Sequence, residues 1–170
     1  RSAGAAMTVS ESGTVVGSVS GGCVESAVVV ESLDVLTANV GRVVSFGYSD
    51  EDAFAVGLTC GGTVRLFIEP IGVREVEVFE GLRGAVARQC PAALATIVAG
   101  PEVGAKLLML SRASAPASGS EPWPDLEVSG TLGSPELDRV VTRDSSGELA
   151  AGTSAVRHYG VNGEAGREDV

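Results

Sequence analysis

Two thiols stand in similar settings in this chain: Cys23 ends Ser20-Gly21-Gly22-Cys23 behind the apolar run 14–19, and Cys60 opens Cys60-Gly61-Gly62-Thr63 ahead of the run 64–68. A cysteine offers a nucleophile or a soft ligand. Paired glycines at a strand end allow positive φ and let a bound group approach the backbone amides. The hydroxyls of Ser18, Ser20 and Thr59 add donors, and the amides of Gly21, Gly22, Gly61 and Gly62 are candidates to line an anion pocket. The chemistry expected is the holding of an anionic group compatible with thiols. The competing reading makes both cysteines small buried hydrophobes beside tight turns.

Other chemistries fit less well. The loops are neither a Walker A motif, which needs Gly-Lys-Ser/Thr, nor a G-x-G-x-x-G dinucleotide loop. Zinc wants four nitrogen or sulfur ligands at characteristic spacings; the chain has no C-x-x-C pair and a single histidine, His158. A Cys/His hydrolase needs that histidine as base with a third group to orient it, and no such partner can be named, so His158 reads as a structural residue on a strand. Asp50, Glu51 and Asp52 read as the acidic first turn of a helix in preference to a metal triad. Glu25 lies beside the thiol of Cys23 and is open to two readings, orienting a ligand or charging a helix surface. Cys90, before Pro91, reads as a helix-end hydrophobe, and Trp123, between two prolines, as a loop anchor.

The elements that must position these groups follow from periodicity and punctuation. A hairpin over 6–19 turns at Ser12-Gly13, and a helix over 24–37 then places Cys23 at its N-terminus, where free amides and the dipole favour an anion. That helix is apolar nearly all round, which predicts deep burial. A strand over 43–47, a short helix over 49–56 and a strand over 63–69 complete the first part. The second part opens with a helix over 74–90 and a strand over 93–99, and a Ser/Ala/Pro-rich stretch near 111–124 reads as a mobile loop.

One constant offset pairs Gly17-Ser18-Val19 with Gly130-Thr131-Leu132, Val24 with Leu137, Glu25 with Asp138, Ala27-Val28 with Val140-Val141, and Phe46-Gly47 with Tyr159-Gly160. Upstream, Gly4-Ala5-Ala6-Met7 resembles Gly104-Ala105-Lys106-Leu107. The fold expected is α/β in the α+β sense: internally duplicated units of strand hairpin, helix and strand, packing mixed β-sheet against helices, with no Rossmann fold in this chain. The domains expected are a first repeat over 1–72 that carries the Cys/Gly loops and a second over 73–170 that lacks them, since the partner of Cys23 is Glu136. Each copy reads as open at one end, and a longer protein is expected.

The 170 residues, 44% hydrophobic and 20% charged, have room for one sizeable core or two small ones. A net charge of −10 argues against nucleic acid or an anionic membrane as partner. Three cysteines without paired spacing form no disulfide framework and fit a reducing cytoplasm. No apolar run is long enough for membrane insertion as a helix.

The motifs Gly4-Ala5-Ala6-Met7, Gly17-Ser18-Val19-Ser20-Gly21-Gly22-Cys23-Val24-Glu25, Phe46-Gly47-Tyr48-Ser49-Asp50, Gly57-Leu58-Thr59-Cys60-Gly61-Gly62-Thr63 and Glu69-Pro70 together resemble the N-terminal domain of the XdhC/CoxI family. These are xanthine dehydrogenase accessory proteins and their carbon monoxide dehydrogenase relatives. The likeness is strong over about 4–70 and weaker, in the right order, to 170. It implies a maturation factor or chaperone that binds molybdenum cofactor, as molybdopterin or its cytidine dinucleotide form. Such a factor keeps the cofactor during sulfuration by a cysteine desulfurase and delivers it to an apo molybdenum hydroxylase. It also implies that Cys23 and Cys60 lie at the cofactor end, making Ser20, Gly21, Gly22, Cys23, Glu25, Thr59, Cys60, Gly61 and Gly62 the candidate cofactor-binding residues. The two thiols are then candidate soft ligands, no residue is assigned a catalytic role, and a C-terminal Rossmann-like domain is expected beyond Val170. A thiol-dependent sulfur-transfer enzyme using Cys23 and Cys60, and a non-catalytic interaction module, remain alternatives, and homo-oligomerisation stays open.

Overall fold

The computed structural model describes residues 3–47, 63–111 and 126–160. Thr59, Cys60, Gly61, Gly62, the acidic run 50–52 and its helix, and Trp123 with its loop lie outside the described residues. Among those described, three helices and small antiparallel sheets give a mixed α+β fold, and no strands close into a barrel. The chain divides into two compact units, one over Ala5–Pro70 and the other from Ile71 onward, with which residues 3 and 4 also group.

In the first unit, β1 (Met7–Val9) and β2 (Val15–Gly17) pair antiparallel with Met7 opposite Gly17. Their connection is tied by Ser10 and Thr14, whose backbones meet at 2.9 Å while the Ser10 hydroxyl accepts from the Thr14 amide at 3.0 Å. Helix α1 (Glu25–Ala38) follows and ends on Asn39 in the left-handed conformation, a common helix stop. Then β3 (Arg42–Gly47) pairs antiparallel with β4 (Thr63–Ile68). The core of this unit gathers Val19, Val24, Val28, Val35 and Ile68, with Met7, Val44, Phe46 and Leu66 packed against it. Helix α1 is apolar nearly all round, yet it buries one face only: Val28, Ser32 and Val35 are buried at helical spacing while Val30 remains 63% exposed.

The second unit begins with a 3-10 turn (Val73–Glu75) leading into α2 (Val76–Ala87). Strands β5 (Ala92–Thr96), β6 (Lys106–Ser111) and β7 (Leu126–Thr131) form one antiparallel sheet with β6 in the centre. Helix α3 (Pro135–Ala151) starts at the N-cap Ser134, whose hydroxyl accepts from the Leu137 amide at 3.2 Å, and stops at a left-handed Gly152. Strand β6 reads Leu-Leu-Met-Leu because both of its faces are covered. Leu107 packs with Leu137 and Val141 of α3, and Leu108, on the opposite face, sits against α2 where Gly81 leaves room for it. Past α3, Arg157 pairs with Glu148, and the Tyr159 hydroxyl donates to Asp144 at 3.2 Å. His158, expected on a strand, is exposed in irregular backbone.

The two hairpins share a device. Gly17 (φ +91°), the last residue of β2, and Gly130 (φ +88°), the last but one of β7, each lie where an added Cβ would stand 2.4 Å from a carbonyl oxygen, that of Ala6 and that of Lys106. Only glycine fits such a close approach. Leu107 faces Gly130 as Met7 faces Gly17.

Gly17→Ala and Gly130→Ala are each expected to cost more than about 1 kcal/mol in urea unfolding, since both the φ and the space forbid a side chain. Gly147→Ala, in the interior of α3 with open space around it, is expected to stabilise by roughly 0.5–1 kcal/mol. Equal effects at the three positions would contradict this packing.

Candidate functional site

The loop 18–24 carries the chain from β2 into α1, and its conformation is set by Glu25 at the first position of the helix. One carboxylate oxygen, Oε1, accepts from the Ser18 hydroxyl at 2.7 Å and from the amides of Val19, Ser20 and Gly21 at 3.2, 2.9 and 3.1 Å. The other, Oε2, accepts from the Ser20 hydroxyl and from the amides of Gly22 and Val24 at 2.8 and 3.2 Å. Gly21 and Gly22 take φ of +89° and +118°, which curls the backbone so that successive amides converge. The hydroxyls knit the turn further: Ser18 Oγ accepts from the Gly21 amide at 3.0 Å and Ser20 Oγ from the Val24 amide at 3.1 Å.

The electrostatic result is a carboxylate that stays ionised. The hydroxyls of Ser20 and Ser18, then the Ser20 amide, hold the Glu25 carboxyl far below the usual carboxylate range, against a smaller opposing effect of desolvation. The anion bound by the amides of Gly21 and Gly22 is therefore the chain's own. The amides expected to line an anion pocket thus meet a carboxylate that the chain itself supplies three or four residues further on. What the loop offers outward is different. Cys23 is exposed, and an added Cβ at Gly21 or Gly22 would meet nothing within 4 Å, so the loop has open space at both glycines. Cys23 is thus not the buried small hydrophobe of the competing reading.

A turn in the second unit makes a similar contact without a thiol. Asp138 accepts from the Thr131 hydroxyl at 2.8 Å and from the Leu132 amide at 2.7 Å, and Thr131 Oγ1 accepts from the Gly133 amide at 3.1 Å. The hydroxyl and the carboxylate are seven residues apart in both turns, Ser18 with Glu25 and Thr131 with Asp138. That shared spacing is the signal by which the inward role of Glu25 can be found in the sequence. Cys90 lies beyond α2, half-buried, with its thiol donating to the Arg88 carbonyl at 3.8 Å, in keeping with a helix-end residue.

Of the candidate residues, Ser20, Gly21, Gly22, Cys23 and Glu25 come together in this one loop, while Thr59, Cys60, Gly61 and Gly62 lie outside the described residues. Among the described residues no three His, Cys, Asp or Glu side chains group closely enough to hold a metal ion, and no helix is long and apolar enough to cross a membrane. For molybdenum cofactor, the fit rests on the thiol: an exposed soft donor suits a molybdenum and dithiolene centre, whereas the amides of Gly21 and Gly22 are committed to Glu25.

Residues 1–47 match the sequence pattern of the XdhC and CoxI family. The resemblance carried by Gly4-Ala5-Ala6-Met7 and by Gly17 to Glu25 is thereby shown for this stretch, which contains the whole of the Cys23 loop and ends before Cys60. No curated protein matches the chain.

The depressed Glu25 carboxyl has a pH signature. A group ionised more readily folded than unfolded contributes stability that is complete above its ordinary value of 4.5 and is lost as pH falls below it. Unfolding curves at roughly pH 6 and pH 3 are expected to show wild type losing more stability on acidification than Glu25→Gln. Parallel losses would show that the carboxylate is not held as described.

Proposed function

We propose that this chain is a molybdenum cofactor-binding accessory protein of the cytoplasm, which holds the cofactor and helps its sulfuration and insertion into a molybdenum hydroxylase of the xanthine or carbon monoxide dehydrogenase type. The observation that carries the proposal is that the family match includes an exposed cysteine on a loop whose two serine hydroxyls and five amides are gathered by Glu25. A maturation factor of this kind is a carrier and not itself a catalyst, and no described residue needs a catalytic role.

The residues that would hold the cofactor are Cys23, flanked by Ser20, Gly21 and Gly22, together with Thr59, Cys60, Gly61 and Gly62. When bound, the cofactor supplies the molybdenum centre on which the recipient enzyme depends. The chain's own contribution at the described loop is an exposed soft sulfur donor, Cys23, next to two glycines where an added Cβ would meet nothing within 4 Å. With a net charge of −10, the protein gains no general attraction for this anionic ligand, which places the burden on local contacts at the loop. Partners of this function are the apo-hydroxylase and a cysteine desulfurase. The cofactor form is molybdopterin or its cytidine dinucleotide.

The exposure of Cys23 supports a second reading, sulfur transfer on a Cys23 persulfide with Cys60 as resolving thiol. The two differ in whether a persulfide donor is turned over without molybdenum cofactor.

Reconstitution with molybdenum cofactor, gel filtration and metal analysis are expected to give near-stoichiometric molybdenum for wild type. Cys23→Ser and Cys60→Ser are each expected to lower retention by about tenfold or more, the scale seen when groups around a metal are altered. Wild type that retains no molybdenum would overturn the carrier reading.

A further inference from the structure

We propose that Glu25 is a positioning residue for the cofactor-holding loop, acting through the backbone that presents Cys23 and not through contact with the bound group. The inference rests on the carrier reading above for its functional consequence, though not for its geometry.

Three observations carry it. Both carboxylate oxygens are already engaged, by two hydroxyls and five amides that all belong to residues 18–24. A carboxylate in that state has little capacity left to orient a ligand. Next, Asp138 makes the same kind of inward contact with Thr131 and Leu132 in a turn where Glu136 stands at the position matching Cys23. The carboxylate therefore accompanies the turn whether or not a thiol is present, as a scaffold element would. Finally, Val24, the residue before the helix, makes no side-chain cap, so the carboxylate of Glu25 is the group that gathers the amides of 19–22 and 24. Without it, those donors lose their common acceptor and the two positive-φ glycines lose their restraint.

A glutamine at this position keeps the length but presents an amide nitrogen to donors that need an acceptor. An aspartate keeps the charge but is one methylene short, and in the second unit the aspartate gathers fewer donors. The test compares wild type, Glu25→Gln, Glu25→Asp and, as control, Asp138→Asn, all in the full chain. Amide exchange by NMR reports the loop, and molybdenum retained after reconstitution and gel filtration reports the site. Glu25→Gln is expected to speed exchange at Gly21 and Gly22 by at least about tenfold while α1 stays protected, and to lower molybdenum retention with it. Glu25→Asp should fall between wild type and Glu25→Gln in both, and Asp138→Asn should leave both unchanged.

Molybdenum lost with loop exchange unchanged would assign Glu25 to direct contact with the cofactor and overturn the proposal. Faster exchange with molybdenum fully retained would overturn it as well, since the loop geometry would then not matter to the site. If Glu25→Gln does not fold, Glu25→Asp carries the same comparison. If wild type itself retains no molybdenum, the carrier reading fails separately, and positioning is read from iodoacetamide alkylation of Cys23. An alkylation rate unchanged in both Glu25 variants would then overturn it.

Discussion

A single carboxylate neutralises the polar backbone of the turn on which the first unit depends. Between β2 and α1 the chain must reverse within a few residues, and such a reversal leaves several amides without a strand or helix partner. Glu25 answers five of them from one side chain, with charge-assisted bonds to Val19, Ser20, Gly21, Gly22 and Val24. In the same loop Cys23 is exposed, and the Cβ positions of Gly21 and Gly22 are open.

Around that turn, packing does the rest. Val19 and Val24, at either end of the loop, are both buried in the core of the first unit, so the loop is pinned on both sides while its tip stays open. In the second unit the anchoring is heavier: Leu107, Leu108 and Met109 of the central strand are almost wholly removed from water, with α2 on one face and α3 on the other. A strand covered on both faces needs no alternation of polar and apolar residues, and β6 shows none. The close approach of Gly17 to Ala6 and of Gly130 to Lys106 serves the same end, bringing a strand against its neighbour tightly enough to seat the turn that follows.

Much of this is legible in the sequence. The hairpin around Ser12-Gly13, the helix after Cys23, the strand before Pro70 and the helix after Val73 follow from apolar spacing and from glycine and proline punctuation, because these act within a few residues of chain. Boundaries drift where the end is set by packing: the helix anticipated to Cys90 stops at Ala87, and Gln89 takes a positive φ of 54°. Helix α1 is the clearer divergence. Its composition suggests burial all round, yet Val30 is largely exposed, since which side of a helix is covered depends on what packs against it and not on its own residues. For His158, the expected strand is replaced by irregular backbone that leads into a packed Tyr159.

By itself the sequence determined the chemistry available: a thiol loop with paired glycines, a carboxylate seven residues from a serine, a strongly acidic balance, and the pattern of the XdhC and CoxI family over the first 47 residues. These are matters of residue type and short spacing, which the chain carries whatever its fold. Only the tertiary structure decided which way each group faces. The amides of Gly21 and Gly22 turn to Glu25 and Cys23 is left exposed, because the direction of a donor depends on φ and ψ along the loop and on the core that pins Val19 and Val24, none of which is written in the identity of the residues.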